Sequence, residues 1–182
     1  MSKSITFALI KPESCSHPFI CWSILTRILE SGFSVLAAKV CRVPRSQAET
    51  FYKVHEERFF YSRLVAHMTS GPVIALLLSG PEAVDRWRQL LGPTKVSRTV
   101  IENRTSLRGR YGLSDTRNVG HGSDSFSNAV SEANIFFPEY CDLKSMSFRD
   151  LFLLQGLDRR HLFEMIFGNS LAIDDELVKE PV

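Results

Sequence analysis

The stretch NVGHGSDSFSNAV, residues 118–130, contains a histidine that could carry a proton or a phosphoryl group. His121 lies between Gly120 and Gly122, which predicts a short polar turn where a ligand can approach the ring closely. Glu132, beyond the start of the helix that follows, could accept a hydrogen bond from one ring nitrogen. That bond would fix the tautomer, and the other ring nitrogen would then be free to attack phosphorus.

The chain also has cationic and polar residues at the ends of predicted elements, where a small anion could bind. They are Lys11, Arg88, Thr94, Arg108 and Asn118. Arginine offers a planar fork that matches phosphate oxygens, and lysine acts as a point charge. Each residue taken singly also has an ordinary structural explanation, as a solvated side chain or a turn cap. Two further histidines, His17 and His67, are assigned structural roles, because one precedes a helix proline and the other lies in an apolar helical pattern.

Composition and motifs exclude several other classes of protein. The chain has 182 residues, of which 44% are hydrophobic, so it can bury a full core. It has no P-loop motif, no GxGxxG and no HExxH, which excludes the common solutions for phosphate, dinucleotide and zinc. Four cysteines without CxxC spacing predict reduced thiols. Residues 1–141 carry 17 Lys+Arg against 12 Asp+Glu, a mild excess that fits a small anionic ligand better than nucleic acid.

Apolar periodicity predicts the elements that must position these residues. Strands are expected over 5–10, 33–40, 72–78 and Thr116–Val119, and helices over 18–31, 45–54, 63–68, 81–92 and 126–137. Residues 93–111 lack a sustained period and hold several basic residues, which predicts a binding loop. The element order contains two strand-helix-strand crossovers. It predicts an α+β fold of the ferredoxin-like βαββαβ kind, with a four-stranded antiparallel sheet, helices on the sheet and a helical C-terminal extension.

Three segments resemble the signatures of nucleoside diphosphate kinases, in family order and at nearly family spacing. They are TFALIKP at the first strand, HEERFFYSRLVAHMTSGPV in the middle and RNVGHGSDSFSNAVSEANIFF near the end. The resemblance covers roughly residues 4–140, and its His-Gly-Ser-Asp-Ser signature is highly specific. The RFFY and GLSDTRN segments are most similar to the divergent group typified by nucleoside diphosphate kinase 6.

The resemblance implies a kinase that moves the γ-phosphoryl group of ATP to a nucleoside diphosphate, with Mg²⁺ bridging the phosphates and no metal ligand from the protein. It implies that His121 is the nucleophile, that Glu132 orients it and that Ser123 lies nearby. The residues that it implies for ribose, phosphates and base are Lys11, Tyr52, Asn118, Arg88, Thr94, Arg108, Phe60 and Leu64. Phe60 would stack on the base, and a ring face accepts any base.

Two features of the body depart from the family pattern. The loop from Lys95 to Ser106 is longer than in typical members and lacks their proline, and in the family this loop contributes to hexamer contacts. We therefore expect a homo-oligomer in which a dimer is favoured over a hexamer. Asp115 stands where the family has an apolar residue on the far side of the base, which would weaken the base sandwich or add a hydrogen bond. A catalytically weak nucleotide-binding scaffold or regulatory partner therefore stays open as the alternative function.

Residues 142–182 have no counterpart in short family members and are predicted to form a helical extension of a kinase-like domain, 1–141. Apolar residues at helical spacing predict two short helices, the first with Phe148, Leu151, Phe152 and Gln155, the second with Leu162, Phe163, Ile166 and Phe167. We expect both helices to cover their own chain, and a partner-binding arm is the alternative.

The location and partners follow from what the sequence lacks. No apolar run reaches the length of a membrane span, and the first strand begins at Ile5, which leaves no room for a presequence. We therefore expect a cytoplasmic protein whose partners are nucleoside tri- and diphosphates, without a membrane or a specific nucleic acid.

Overall fold

The computed structural model describes residues 3–138 and 159–168, and the strands within these ranges form one sheet. The strands are β1 (Lys3–Ile10), β2 (Ser34–Arg42), β3 (Pro72–Pro81) and β4 (Gly120–Gly122). Their order across the sheet is β2-β3-β1-β4, and each neighbouring pair is antiparallel. This arrangement confirms the predicted α+β class and four-stranded antiparallel sheet.

Helices cover both faces of this sheet. In chain order they are α1 (Pro12–Cys15), α2 (Pro18–Glu30), α3 (Arg45–Phe51), α4 (Tyr61–Met68), α5 (Ala83–Leu91), α6 (Val96–Glu102), α7 (Leu107–Tyr111), α8 (Phe126–Phe136) and α9 (Arg159–Phe167). A 3-10 turn at Lys53–His55 follows α3. Proline occupies the first turn of α1 and of α2, where its missing N–H leaves no helical bond unmade.

Strand β1 separates two hydrophobic cores, because successive side chains of a strand point to opposite faces. Phe7 and Leu9 enter the core that α3, α4 and α8 cover. Ala8 and Ile10 enter the core that α2, α5 and α9 cover. The chain leaves β1 at Lys11 between these two layers, which places that lysine beside the short edge strand β4.

The last strand differs from the prediction. We expected it at Thr116–Val119, but β4 is Gly120–Gly122, and the backbone of Val119 has φ 76°, far from the extended region. A positive φ is rare for a β-branched residue such as Val119, so nothing in the sequence predicted a sharp turn there. The pattern indicated a strand instead. His121 consequently lies in the middle of a strand and not on the predicted polar turn.

The predicted loop over 93–111 is also corrected, since it contains α6 and α7. Both are too short to show a helical period in the sequence. Local polar contacts stabilise them: Asp115 Oδ1 accepts a hydrogen bond from Val96 N at 3.0 Å, and Ser106 Oγ accepts one from Gly109 N at 3.1 Å. These are N-terminal caps, one supplied from a distant part of the chain.

Helix boundaries shift by one to three residues relative to their prediction, as at α3 and α5. The helix expected over 45–54 ends at Phe51 and continues as the 3-10 turn. The helix expected to begin at Pro81 begins at Ala83, because Pro81 is the last residue of β3 and Glu82 adopts a left-handed φ of 48°.

The second predicted tail helix is confirmed as α9, and its apolar side lies against the body. Leu162 and Phe163 are fully buried, and the Phe163 ring lies 3.8 Å from that of Trp22 on α2. The first predicted tail helix lies outside the described residues. Within the described part of the chain, none of the helices has both the length and the apolar character needed to cross a membrane.

Candidate active site

The strand β4 holds His121 at the edge of the sheet, where its backbone pairs with Leu9 of β1. The glycines on either side are required by packing: a Cβ on Gly120 would lie 2.6 Å from Leu9 O, and one on Gly122 would lie 2.5 Å from the Trp87 ring. Trp87 Nε1 also donates to His121 O at 3.0 Å. The indole of α5 and the backbone of β1 thus hold the histidine in place from one side.

The imidazole of His121 is oriented by a carboxylate. Its Nε2 lies 2.9 Å from Glu132 Oε2, and Ser123 Oγ donates to the same oxygen at 2.6 Å. A carboxylate only accepts, so Nε2 carries the proton in this contact and Nδ1 of the neutral ring keeps its lone pair. About a quarter of the His121 side chain is exposed, 26%. The arrangement is therefore that of a nucleophile or base with an orienting partner.

Lys11 and Asn118 form a buried pair close to the histidine. Lys11 Nζ donates to Asn118 Oδ1 at 2.6 Å and to Thr116 O at 3.0 Å. Burial lowers the pKa of Lys11 from 10.5 to about 8, and of the two nearby charges Glu13 opposes this shift and Arg108 adds to it. A desolvated ammonium with a lowered pKa is readily stabilised by an incoming anion.

Arg108 is buried beside the segment that carries Asn118, and its guanidinium donates hydrogen bonds to three backbone carbonyls. Nε donates to Asn118 O at 3.1 Å, Nη1 to Gly92 O at 2.7 Å and Nη2 to Gly120 O at 2.8 Å. Burial lowers the pKa of Arg108 to about 10, and the positive charge of Arg88 lowers it further. The three bonds use three of the five N–H groups of a guanidinium, so donors remain for an anion.

Aromatic rings connect the histidine to the outer end of the site. The centroid of the Phe51 ring lies 4.8 Å from that of His121 and 5.0 Å from that of Tyr52. The ring centroids of His55 and Phe60 lie 5.6 Å apart. Burial raises the pKa of Tyr52, and the charges of Glu13 and Glu132 raise it further. The nearby His55 has a pKa lowered by burial and by His121.

The remaining predicted residues lie farther out or act through the backbone. Arg88 on α5 is exposed and close enough to Arg108 for their charges to interact. Thr94 is exposed, and its carbonyl accepts from Asn118 Nδ2 at 3.4 Å. Leu64 is half-buried on α4 and packs against the core. The carboxylate of Asp115, expected near a base, instead caps α6.

Comparison with known proteins shows which fold family this geometry belongs to. A family model described as nucleoside diphosphate kinase matches residues 4–141. The chain belongs to the nucleoside diphosphate kinase family. The family predicted from the three sequence signatures is thereby confirmed, and membership supports nucleotide binding, phosphoryl transfer and a kinase in general terms.

Individual relatives of this nucleoside diphosphate kinase family member carry the same family name. Nucleoside diphosphate kinase 6 of Danio rerio is 43% identical over 136 residues, which cover 75% of this chain and 77% of that protein. The nucleoside diphosphate kinase of Aquifex aeolicus superposes with a TM-score of 0.71 at 34% identity, over 75% of this chain and 96% of that one. A Halobacterium salinarum nucleoside diphosphate kinase, solved in complex with CDP, gives 0.69 at 30% identity, over 75% and 88% of the two chains.

The candidate site also includes residues that the sequence did not reveal. Glu13 and Trp87 both contact the segment around His121, but neither is marked by a motif of its own. The available signal for Glu13 was its place two residues after Lys11, at the end of β1. Among residues 3–138 and 159–168, no group of three or more His, Cys, Asp or Glu side chains could hold a metal ion.

Proposed function

We propose that this protein transfers the γ-phosphoryl group of ATP, or of another nucleoside triphosphate, to nucleoside diphosphates through a phosphohistidine at His121. The observation that carries the proposal is the contact between His121 Nε2 and Glu132 Oε2 at 2.9 Å. It leaves Nδ1 as the ring nitrogen with a free lone pair, on a side chain that is 26% exposed.

The reaction has two symmetrical halves. Nδ1 of His121 attacks the γ-phosphorus, the bond from phosphorus to the bridging β-oxygen breaks, and the nucleoside diphosphate leaves with that oxygen. A terminal oxygen of a second diphosphate then attacks the same phosphorus, the P–N bond breaks and the imidazole is restored. Glu132 keeps its hydrogen bond to Nε2 throughout and stabilises the positive charge that the phosphorylated ring develops.

The other predicted residues take roles along the nucleotide. Lys11 and Asn118 meet the transferred phosphoryl group and the ribose, together with the Tyr52 hydroxyl, while Ser123 holds Glu132. Arg88, Thr94 and Arg108 bind the remaining phosphates. Phe60 and Leu64 offer apolar surface to the base, and a stacked ring is tolerant of base identity.

Mg²⁺ would be held by the phosphates of the nucleotide, since the described residues offer no set of acidic ligands. When bound there, the ion neutralises charge on the phosphates and orients them. The protein's own contribution is cationic and hydrogen-bonding groups that fix the angle of approach to Nδ1.

Two observations favour the second candidate, a catalytically weak nucleotide-binding scaffold or regulatory partner. The guanidinium of Arg108 is already bound to three carbonyls, and Asp115 is engaged by α6. Both residues could therefore serve structure more than substrate. In that case nucleotides would bind without measurable phosphoryl transfer.

Labelling separates the two candidates. Purified protein is incubated with γ-labelled ATP, then chased with a nucleoside diphosphate. The kinase proposal expects label on the protein that survives base, is lost in acid and moves to the diphosphate. His121→Ala should abolish it, whereas the matched control His161→Ala, on the exposed part of α9, should keep it. Label retained by His121→Ala would contradict the mechanism.

Assembly and organisation belong to the same proposal. We infer a kinase domain over 1–141 with an extension over 142–182, a cytoplasmic location and a homo-oligomer, with the dimer favoured over the hexamer. The altered segment from Lys95 to Ser106 forms α6 and the turn after it, which changes the surface available for trimeric packing of dimers. Light scattering that gave a hexamer mass would contradict this assembly.

A further inference from the structure

The backbone beside the proposed nucleophile is strained at Val119. Its φ of 76° combines with a hydrogen bond from Gly120 N to Asn118 O at 2.9 Å, which makes a three-residue γ-turn of the rare, unfavourable hand. A β-branched residue adopts this conformation only where surrounding contacts impose it. Asn118 enters the turn and His121 follows it, so its geometry sets the positions of both.

Glu13 contacts the middle of this turn. Its Oε1 accepts a hydrogen bond from Val119 N at 2.8 Å, and its Oε2 lies 2.6 Å from Nε2 of His67 on α4. The two side chains are only 9% and 10% exposed. Burial by itself would raise the pKa of Glu13, but the hydrogen bonds from His67 and from Val119 N outweigh it and lower the pKa, which keeps the carboxylate ionised as an acceptor.

Further hydrogen bonds tie the turn at Val119 to the segment after β1 and to Arg108. Lys11 N donates to Val119 O at 2.9 Å, and the side chain of Glu13, two residues later, accepts from Val119 N. Arg108 binds the carbonyls on either side, those of Asn118 and Gly120. The amide of Val119 is thus held by Glu13, while the carbonyls of the turn are held by other groups.

We propose that Glu13 is a positioning residue for the nucleophile, and that His67 acts through it by fixing the carboxylate. The pair holds Val119 in the left-handed turn, which aligns the Asn118 carboxamide with Lys11 and carries His121 to the phosphoryl group. This inference rests on the proposed kinase function. It concerns alignment rather than binding, because Glu13 faces the backbone and not the nucleotide-facing surface of Arg88, Thr94 or Phe60.

Four variants isolate the role of the pair. Glu13→Ala removes the acceptor, and Glu13→Gln keeps an oxygen for Val119 N and an amide N–H for the other tautomer of His67. His67→Leu removes the partner, and Glu13→Ala with His67→Leu removes both. Ile28→Val, a fully buried change on the far side of the sheet, is the control for a general loss of stability.

The kinetic readout is the division between kcat and KM. Glu13→Ala should lower kcat about 10- to 100-fold, the effect of losing one charged hydrogen bond, while KM for the nucleotide changes less than about twofold. Glu13→Gln should recover most of the loss. His67→Leu should have a smaller effect, and the double variant should be no slower than Glu13→Ala. Ile28→Val should leave both constants unchanged.

Val119→Gly supplies an independent check, since glycine adopts a positive φ without strain. In that background Glu13→Ala should cost less kcat than it does with valine present. An equal loss in both backgrounds would overturn the link between Glu13 and the turn. If Glu13→Ala does not fold, the kcat values of His67→Leu and Glu13→Gln test the positioning role instead. A normal kcat in His67→Leu would overturn the role of His67.

Heteronuclear NMR of the nucleotide-free protein distinguishes failure of this inference from failure of the proposed function. Glu13→Ala should move the Val119 amide and His121 ring resonances and leave the amides of β2 in place. If wild type forms no phosphohistidine, the proposed function fails and these resonances alone decide the positioning role. If wild type is labelled and Glu13→Ala matches its rate with unchanged resonances, the positioning role is wrong and the function stands.

Discussion

The proposed phosphate end of the site, formed by Lys11, Arg108, Asn118 and His121, differs from the proposed base end at Phe60 and Leu64. Lys11 is 5% exposed and Asn118 is 2% exposed, whereas Phe60 and Leu64 are half-buried. Lys11, Asn118 and Arg108 are buried and held by hydrogen bonds to the protein, because groups that act through directed bonds must keep their bond angles. A base can be recognised by contact area, which needs only a partly accessible ring. Changes at the first end should therefore alter kcat, and changes at the second should alter KM.

Removal of the nucleophile should have the largest effect. His121→Ala should abolish nucleotide exchange while the Kd for a nucleoside diphosphate changes only a few-fold, because the phosphate-binding cations stay in place. Isothermal titration of the variant measures this binding. Loss of binding together with activity would show that the two ends do not have separate roles.

Loss of Arg108 should come next. Arg108→Ala should lower kcat/KM by about 10- to 100-fold, since charged hydrogen bonds contribute roughly 1.5–3 kcal/mol. Because three buried carbonyls lose their donor, the melting temperature should fall as well. Arg98→Ala, in an exposed i,i+4 pair with Glu102, is the control and should change neither quantity. Unchanged catalytic efficiency in Arg108→Ala would assign it a structural role alone.

Lys11 should give the site a basic pH limit. Its pKa of about 8 means that the charged form is lost as pH rises through that value, and kcat/KM should fall by about tenfold per pH unit above it. Stability should move the other way: the pKa in the folded state lies below the ordinary 10.5, so between these values the unfolded chain binds more protons. This contribution therefore stabilises the fold increasingly as pH rises.

The pH profile can be tested against Lys11→Arg, which retains its charge well above the pKa of lysine. Its kcat/KM should lack the limb near pH 8, even where its maximum is lower. The same limb in Lys11→Arg would assign the titration to another group.

At the base end the effect should be smaller and confined to KM. Phe60→Ala should raise KM about fivefold, at the low end of the roughly 1–3 kcal/mol of a base stack, because Asp115 supplies no apolar surface on the other side. Steady-state kinetics with two different diphosphates measures the change. A kcat that fell with unchanged KM would reverse the comparison.

The tail should affect stability and leave catalysis unchanged. Phe163→Ala removes a buried ring against Trp22 and should cost about 3 kcal/mol, which lowers the melting temperature by roughly 6–12 °C. Its kcat and KM should stay within about twofold. Truncation after Asp142 should destabilise the body in the same sense. Unchanged melting with loss of a bound partner would favour the partner-binding arm instead.

Much of this site was predictable because its family signature is local. The histidine, the lysine after β1 and the carboxylate on α8 lie in continuous segments that retain their spacing. The structure places the histidine and the carboxylate in a hydrogen bond, and the lysine in a hydrogen bond with Asn118, three residues before the histidine. Strands such as β3 were predictable for a similar reason, since a buried strand is a continuous apolar run.

Other features depend on contacts between distant residues. Sequence periodicity favoured a strand at Thr116–Val119, but hydrogen bonds to Glu13, Lys11 and Arg108 impose a left-handed turn there. The start of α6 is likewise capped by Asp115, which lies nineteen residues after Val96 in the chain. Neither contact leaves a local signal in the sequence.

The sequence by itself determined the family, the α+β class, the first three strands and which side chains could do chemistry, because each depends on residue type and local spacing. Tertiary structure alone decided which nitrogen of His121 carries the proton, what the Arg108 guanidinium binds and where the backbone turns before β4. These depend on hydrogen-bond partners that lie far apart in the chain. An aligned hydrogen bond requires both groups within about 3 Å, a condition that only the folded chain can meet.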